Sequence, residues 1–143
     1  MPEIRYLTSD DLIALHGEVV ARSGGLASPL VAPDKLDSAL NRPRHAAWYE
    51  GADLVRQAVL LAVGISQSQA FLDGNKRAAF AALDVFLLVN GLSYRGESLA
   101  LARWIESIGE AGRTGRDALT DQFGAWLRGC VEPDQKGTSG WDD

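Results

Sequence analysis

The sequence has few of the residues that would mark a disulfide-bonded, a cysteine-liganded or a nucleic-acid-binding protein. It contains one cysteine, Cys130, among 143 residues. A single thiol excludes an intramolecular disulfide, and without neighbouring Cys and His residues we predict no metal site there. Positive charge is scarce, since 14 Lys and Arg against 19 Asp and Glu give a formal net charge of −5. Nucleic-acid binders typically carry a basic patch, so we predict no direct nucleic-acid binding.

Long apolar runs are also missing. Residues 1–5 lack the basic start and apolar stretch of a signal peptide, and no segment is long and apolar enough to cross a bilayer. We therefore expect a cytoplasmic protein without a membrane partner. The apolar content of 46% is sufficient for one hydrophobic core. We predict a single domain over residues 1–130 and a disordered tail over residues 131–143, which is rich in Gly, Asp and Ser.

Most apolar residues recur at helical spacing, with little of the alternation that marks strands. We predict an all-α fold, a bundle of about six helices. The third and fourth helices are apolar nearly all round, so they should form the centre of the bundle. The predicted helices cover residues 9–23, 34–42, 52–68, 75–90, 99–108 and 117–128.

Two connections are predicted to be irregular. Pro43 should end the second helix because the residue before a proline avoids helical geometry, which leaves residues 42–51 without regular structure. The pair Trp48 and Tyr49 would then lie either on a flap over a site or at the edge of the core, and the sequence leaves both open. Residues 109–115 contain three glycines and should form a flexible connection.

Residues 69–77, Gln-Ala-Phe-Leu-Asp-Gly-Asn-Lys-Arg, lie between the two central helices. The first N–H groups of a helix lack intrahelical partners and, with the helix dipole, attract anions. Gly74 lets the backbone approach a ligand, and Asn75 can fix the loop by side-chain hydrogen bonds to its own backbone. Arg77 offers a planar fork for phosphate. Asp73 is the candidate Mg²⁺ ligand, because Mg²⁺ takes one or two carboxylates together with phosphate oxygens and water.

The same loop has a simpler interpretation. Asp-Gly-Asn is an ordinary turn, Asp73 or Asn75 is an ordinary helix cap, and Lys76 and Arg77 are solvated cations. Phe71 favours a ligand-binding loop over an ordinary turn only slightly. It looks like an anchor that pins the loop to the core, but phenylalanine is common in cores.

The segment 69–77 resembles the signature loop of the Fic/Doc family, His-x-Phe-x-Asp-Gly-Asn-Lys-Arg in its Doc (death on curing) branch, with Gln69 in place of the histidine. Residues 5–7, 40–43 and 86–91 are also similar to Doc proteins, so the resemblance covers roughly residues 4–128. It implies the all-α bundle of that family. It also implies an activity, the transfer of part of a nucleoside triphosphate to a hydroxyl of a target protein.

By this resemblance Asp73 binds Mg²⁺, while Gly74, Asn75, Lys76 and Arg77 bind the phosphates of ATP. Gln69 and Lys76 occupy the catalytic positions. Lys76 also indicates the branch, because AMP-transferring Fic enzymes usually have Gly there and an arginine three residues after Arg77. The resemblance therefore implies a Doc-type kinase that passes a phosphoryl group to the translation factor EF-Tu, with Mg²⁺ and ATP as cofactors.

Gln69 departs from the family pattern at the position of the catalytic histidine. The histidine takes the proton of the attacking hydroxyl, and a glutamine amide is not basic enough to do so. Ala70 replaces a proline often found there, so both natural drift and an engineered substitution remain open. Of the two histidines that could substitute, His16 lies in the first helix and is expected to be structural. His45 lies in the proposed flap.

Regulation by a second protein is the other implication of the resemblance. Self-inhibited Fic proteins carry a Ser/Thr-x-x-x-Glu-Gly/Asn helix, whereas here Ser93 and Glu97 are followed by Ser98, so no internal inhibitor is expected. Doc-like toxins are instead restrained by an antitoxin whose tail folds as a helix in an apolar groove. Three alternatives stay open: an inactive nucleotide- or antitoxin-binding protein, a Fic-type AMP transferase, and a helical bundle with no nucleotide role.

Overall fold

The computed structural model of the chain describes residues 3–24 and 28–134. Over these residues the fold is all-α, as predicted, with a small two-stranded sheet beside the helices. No helix in the described part of the chain is both long and apolar enough to span a membrane. In chain order the elements are α1 (Ser9–Arg22), α2 (Pro33–Glu50), α3 (Leu54–Ser68), α4 (Asn75–Val89), β1 (Leu92–Tyr94), α5 (Ser98–Glu110), α6 (Gly112–Arg128) and β2 (Val131–Pro133).

The first helix begins where its capping residues predict. Thr8 accepts a hydrogen bond from the Asp11 N–H at 3.2 Å, and the Asp11 carboxylate accepts one from the Thr8 N–H at 2.8 Å. This reciprocal capping box satisfies two backbone donors that the helix start would otherwise leave unpaired. The helix buries Leu12, His16 and Val20, and these residues place α1 against α4. Residues 25–27, which follow soon after it, lie outside the described residues.

The second helix does not stop at Pro43, and the irregular segment predicted over residues 42–51 is wrong. Helix α2 continues through Pro43 to Glu50 and ends at Gly51, whose φ of 65° is left-handed. Pro43 is buried, and because it follows Ala39 by four residues it lies on the same face of α2 as Ala39. A Cβ on Gly64 of α3 would lie 3.3 Å from the Ala39 Cβ, so the two helices pack closely there. This packing outweighs the backbone hydrogen bond that proline removes.

Trp48 and Tyr49 therefore lie on the last turns of α2. Their exposed fractions are 82% and 79%. Neither proposed role holds, because they form no flap on an irregular segment and they do not seal the edge of the core.

The centre of the bundle is as predicted. Helices α3 and α4 are packed against each other, and ten of the fifteen residues of α3 are buried. Asp53 starts α3 by accepting a hydrogen bond from the Arg56 N–H at 2.8 Å, and Arg128 of α6 donates two more to it at 3.2 Å. Burial alone would raise the pKa of Asp53, but the bonds from Arg128 and Arg56 together lower it. The start of the central helix is thus tied to the last one.

Two predictions about the C-terminal part need correction. Helices α5 and α6 are joined at Ala111 alone, so most of the connection expected over residues 109–115 is helical. The tail predicted from residue 131 begins with strand β2, which pairs antiparallel with β1 in the register Leu92 with Pro133 and Tyr94 with Val131. The rest of that prediction, residues 135–143, lies outside the described residues.

Candidate functional site

The loop between α3 and α4 is bounded by two residues with left-handed backbone. Gln69 ends α3 with φ 51°, and among the described residues it alone has a positive φ without being glycine. Gly74 precedes α4 with φ 85°. A Cβ on Gly74 would lie 3.0 Å from His16 Nε2 and 3.1 Å from Val20 Cγ2, so both the conformation and the space require glycine. The chain therefore turns sharply at each end of residues 70–73.

Side chains fix the interior of this loop. The Asn75 carboxamide accepts a hydrogen bond from the Phe71 N–H at 3.1 Å and donates one to the Phe71 carbonyl at 2.9 Å. Phe71 is 2% exposed and its ring stacks on that of His16, with centroids 3.8 Å apart. The segment before α2 adds backbone bonds, from Val31 N–H to the Ala70 carbonyl at 2.7 Å and from Leu72 N–H to the Pro29 carbonyl at 3.0 Å. The loop is thus held from within and from two other elements.

A cleft of about 690 Å³ opens over the loop and the first turn of α4. All of the residues predicted for a nucleotide and metal site line this cleft: Gln69, Asp73, Gly74, Asn75, Lys76 and Arg77. Phe71 and Leu72 contribute to its wall, as do two residues from outside the loop, Val31 and Ser66. Ser66 lies one turn before Gln69 on α3, a spacing from which it could have been anticipated. No signal in the sequence pointed to Val31.

The two histidines lie elsewhere. His45 is an exposed residue of α2 that lines a different cleft, with Arg42 and Arg56. His16 is buried in α1, 3% exposed, and its Nε2 lies 2.7 Å from the Asp73 carbonyl oxygen. Because that oxygen can only accept, the imidazole donates from Nε2. Neither ring lines the cleft over the loop, so neither is placed to replace a base at position 69.

The charges of the site are concentrated at the start of α4. Arg77 Nη2 lies 3.4 Å from Asp73 Oδ2, and these side chains are 40% and 79% exposed. The first turn of α4 carries no acidic residue but includes Lys76 and Arg77. Its unpaired N–H groups and dipole add positive potential at the cleft. An anion is the ligand that this end of the helix favours.

Asp73 is the candidate metal ligand of the cleft. Within residues 3–24 and 28–134, no group of three or more His, Cys, Asp or Glu side chains is placed to hold a metal ion. A protein cage for a cation is therefore lacking in this part of the chain. One exposed carboxylate beside an anion site suits Mg²⁺, which commonly completes its shell with phosphate oxygens and water. The donor set present fits Mg²⁺ bound together with a phosphate ligand.

Comparison with known proteins gives the family. The model of the Fic/DOC family matches residues 6–87, more than half of the chain, and this match includes α3, the loop and α4 as far as Leu87. The chain belongs to the Fic/DOC family. The resemblance drawn from residues 69–77 is thereby confirmed at the level of the family.

Two relatives carry the word Doc in their names. The protein named Toxin Doc from Mycolicibacterium smegmatis (strain ATCC 700084 / mc(2)155) is 30% identical over 141 residues, which cover 92% of this chain and 98% of that protein. The protein named Protein kinase doc from Escherichia phage P1 is 30% identical over 90 residues, 62% of this chain and 71% of that protein. The Fic/DOC chain described here is therefore similar to a Doc toxin over nearly its whole length.

Proposed function

We propose that this Fic/DOC chain is a Doc-type toxin of a toxin–antitoxin module. Its site would bind Mg²⁺ and ATP and transfer a phosphoryl group to a protein hydroxyl, with an EF-Tu-like protein as the target. The observation that carries the proposal is the single cleft that gathers Asp73, Gly74, Asn75, Lys76 and Arg77 at the start of α4. The names of the two relatives, a toxin and a protein kinase, support the class of activity.

Asp73, Arg77 and the start of α4 have separate tasks in this proposal. Asp73 would hold Mg²⁺, and the ion when bound would neutralise part of the negative charge of the phosphates. The N–H groups at the start of α4 and the Arg77 guanidinium would bind phosphate oxygens. The ion pair between Arg77 and Asp73 is largely exposed and contributes little stability. Arg77 is therefore free to change partner when an anion enters.

Gln69 limits the phosphoryl transfer that we expect from this chain. Its side chain is exposed and lines the cleft with Asp73 and Arg77, so position 69 is where a base would act on an incoming hydroxyl. The carboxamide is neutral and does not accept a proton near neutral pH, and we expect transfer to be impaired. This residue also favours the second candidate function, an inactive protein that binds nucleotide or antitoxin.

The Fic-type AMP transferase is less well supported. That branch usually carries an arginine at the position of Phe80, where it would add a second cation for the phosphates. Phe80 is half-buried, packs against the core and lines a groove beside the cleft. Together with Lys76 it favours the Doc branch.

The groove beside the cleft is our candidate for the antitoxin site. It has a volume of about 390 Å³ and lies between α1, α4 and α5. Its apolar lining is Val19, Phe80, Ala102 and Ile105, and Lys76 and Arg77 line both the groove and the cleft. An amphipathic helix would bury its apolar face in such a groove. A partner bound there would also touch the residues proposed to bind phosphate, which offers a route to inhibition.

Arg77→Ala is expected to weaken binding of Mg²⁺-ATP by roughly 10- to 150-fold, because hydrogen bonds to charged groups contribute about 1.5–3 kcal/mol. Isothermal titration of ATP in the presence of Mg²⁺ measures the change. Arg103→Ala is the matched control, since Arg103 is an exposed arginine of α5 that does not line the cleft. Equal affinities for the Arg77 and Arg103 variants would remove Arg77 from the phosphate site.

Ala102→Arg is expected to weaken binding of the antitoxin at least about tenfold, a typical effect of disturbing a central contact. Ala102 is exposed on α5, so a larger side chain would fill the groove without disturbing the core. Leu99→Arg is the control, because Leu99 is 58% exposed on the same helix but outside the groove. Binding is measured by titration with the protein encoded next to this chain in the proposed module. Unchanged affinity for the Ala102 variant would place the antitoxin elsewhere.

A further inference from the structure

The backbone of Asp73 is held by side chains from two other parts of the chain. The His16 imidazole of α1 donates from Nε2 to the Asp73 carbonyl at 2.7 Å. Ser28, in the segment before α2, accepts a hydrogen bond from the Asp73 N–H at 2.8 Å and donates one to the same carbonyl at 3.1 Å. Both backbone polar groups of Asp73 are therefore paired with residues outside the loop. The Asp73 carboxylate itself stays 79% exposed at the cleft.

The ring of His16 has little freedom to move. One face stacks on Phe71, with an interplanar angle of 5°. Gly74 has no Cβ, and this leaves room for the His16 ring. A Cβ at Gly74 would lie only 3.0 Å from His16 Nε2. The imidazole thus fits between an aromatic ring and a glycine of the same loop. A ring so placed fixes the direction of its Nε2–H, and with it the position of the Asp73 carbonyl.

We infer that His16 is a positioning residue for the site, and that Ser28 assists it. His16 holds the main chain of Asp73 so that the carboxylate faces the cleft where a cation would bind with phosphate. The metal-binding part of this inference rests on the proposed function. The part that concerns the loop itself does not, because it follows from the contacts of His16, Ser28 and Asp73 alone. Neither residue touches the ligand in this scheme.

His16→Phe separates the hydrogen bond from the packing, because phenylalanine keeps an aromatic ring on Phe71 and removes the donor. Two further variants sharpen the test. His16→Gln returns a donor at a similar reach without the ring. Ser28→Ala removes the hydroxyl that bonds the Asp73 backbone. Ser28 lies in a partly exposed segment, so this substitution is not expected to unfold the protein. His45→Phe is the matched control, since His45 is the exposed histidine of α2.

Amide hydrogen exchange on the chain without ligand is the first measurement. We expect the Asp73 amide to exchange about fivefold faster or more in His16→Phe and Ser28→Ala, because each loses a bond that opposes local opening. His16→Gln should recover part of the protection, and His45→Phe should match the parent chain. Amides of Phe123 and Leu127 in α6 should keep their rates. Acceleration of the α6 amides by the same factor would show a merely structural role, and an unchanged Asp73 rate would also overturn the inference.

The second measurement is the ratio of ATP affinities with and without Mg²⁺. A positioning role predicts that His16→Phe lowers this ratio several-fold while the affinity without Mg²⁺ is retained. If the parent chain binds ATP with a clear Mg²⁺ dependence and His16→Phe keeps the full ratio, the positioning of the metal ligand by His16 is wrong. If the parent chain shows no Mg²⁺ dependence at all, the proposed function fails instead, and the exchange rates still decide whether His16 holds the loop.

Discussion

Gln69→His is expected to raise phosphate transfer to a protein hydroxyl by roughly 10²- to 10⁴-fold, the usual contribution of a positioned general base. The reason is local. Position 69 lines the same cleft as Asp73 and Arg77, so an imidazole there would share a site with the residues proposed to hold Mg²⁺ and phosphate. Gln69 has a left-handed backbone, φ 51°, and histidine is one of the residues that adopt this conformation more readily than most. The substitution should therefore keep the loop.

The measurement is transfer from γ-labelled ATP to purified EF-Tu with Mg²⁺, on the parent chain and on Gln69→His in parallel. Gln67→His is the control, because Gln67 is the preceding glutamine of α3 and lines a different cleft. Signal in Gln69→His alone would indicate a kinase site that is silenced at its base. Silence in every variant, with binding of Mg²⁺-ATP intact, would favour a binding protein or a different target. Labelling of a bacterial extract separates those two, since only a different target gives a new labelled band.

Much of the fold follows from local sequence signals. The Thr8 and Asp11 capping box marks the start of α1, and the nearly continuous apolar residues of α3 and α4 indicate the centre of the bundle. These features depend on neighbours a few residues apart, and pattern reasoning detects such neighbours well. The all-α class and the family were predicted from the same local information.

The errors have a common physical cause. Pro43 ends a helix by local rules, but α2 continues because its buried face packs closely on Gly64 of α3. Strands β1 and β2 are three residues long, too short for an alternating pattern, and they form only because they pair with each other across about forty residues of sequence. In each case a contact between distant residues decides the local structure.

In the candidate site, too, the sequence predicts neighbouring residues well and contacts between distant residues poorly. The residues proposed to bind its ligand lie within one segment of the sequence, from Gln69 to Arg77, and a sequence motif finds such residues. The residues that hold the loop are not consecutive. His16 lies 57 residues from Asp73 and Ser28 lies 45 residues from it, so the sequence could place His16 in a helix but could not show its partner. A motif identifies the chemistry of the site, whereas the fold supplies the parts that keep it in position.

Asp73→Ala is expected to abolish the dependence of ATP binding on Mg²⁺. Asp73 is the only carboxylate that lines the cleft in the described part of the chain, so its loss would leave the ion no protein ligand there. The loop should survive, because His16 and Ser28 bind the backbone of Asp73 and not its carboxylate.

Asp73→Ala should act in different ways on ATP binding with and without Mg²⁺, and this makes the prediction specific. Removal of the carboxylate also frees Arg77 from its ion pair at 3.4 Å, so ATP binding without Mg²⁺ should be retained or slightly strengthened while binding with Mg²⁺ falls to the same level. Titrations of ATP at zero and saturating Mg²⁺ measure both quantities. Asp117→Ala, at an exposed aspartate of α6 away from the cleft, should keep the full Mg²⁺ dependence. If Asp73→Ala keeps it too, the metal ligand is not Asp73, and Mg²⁺ must act on ATP binding through other groups.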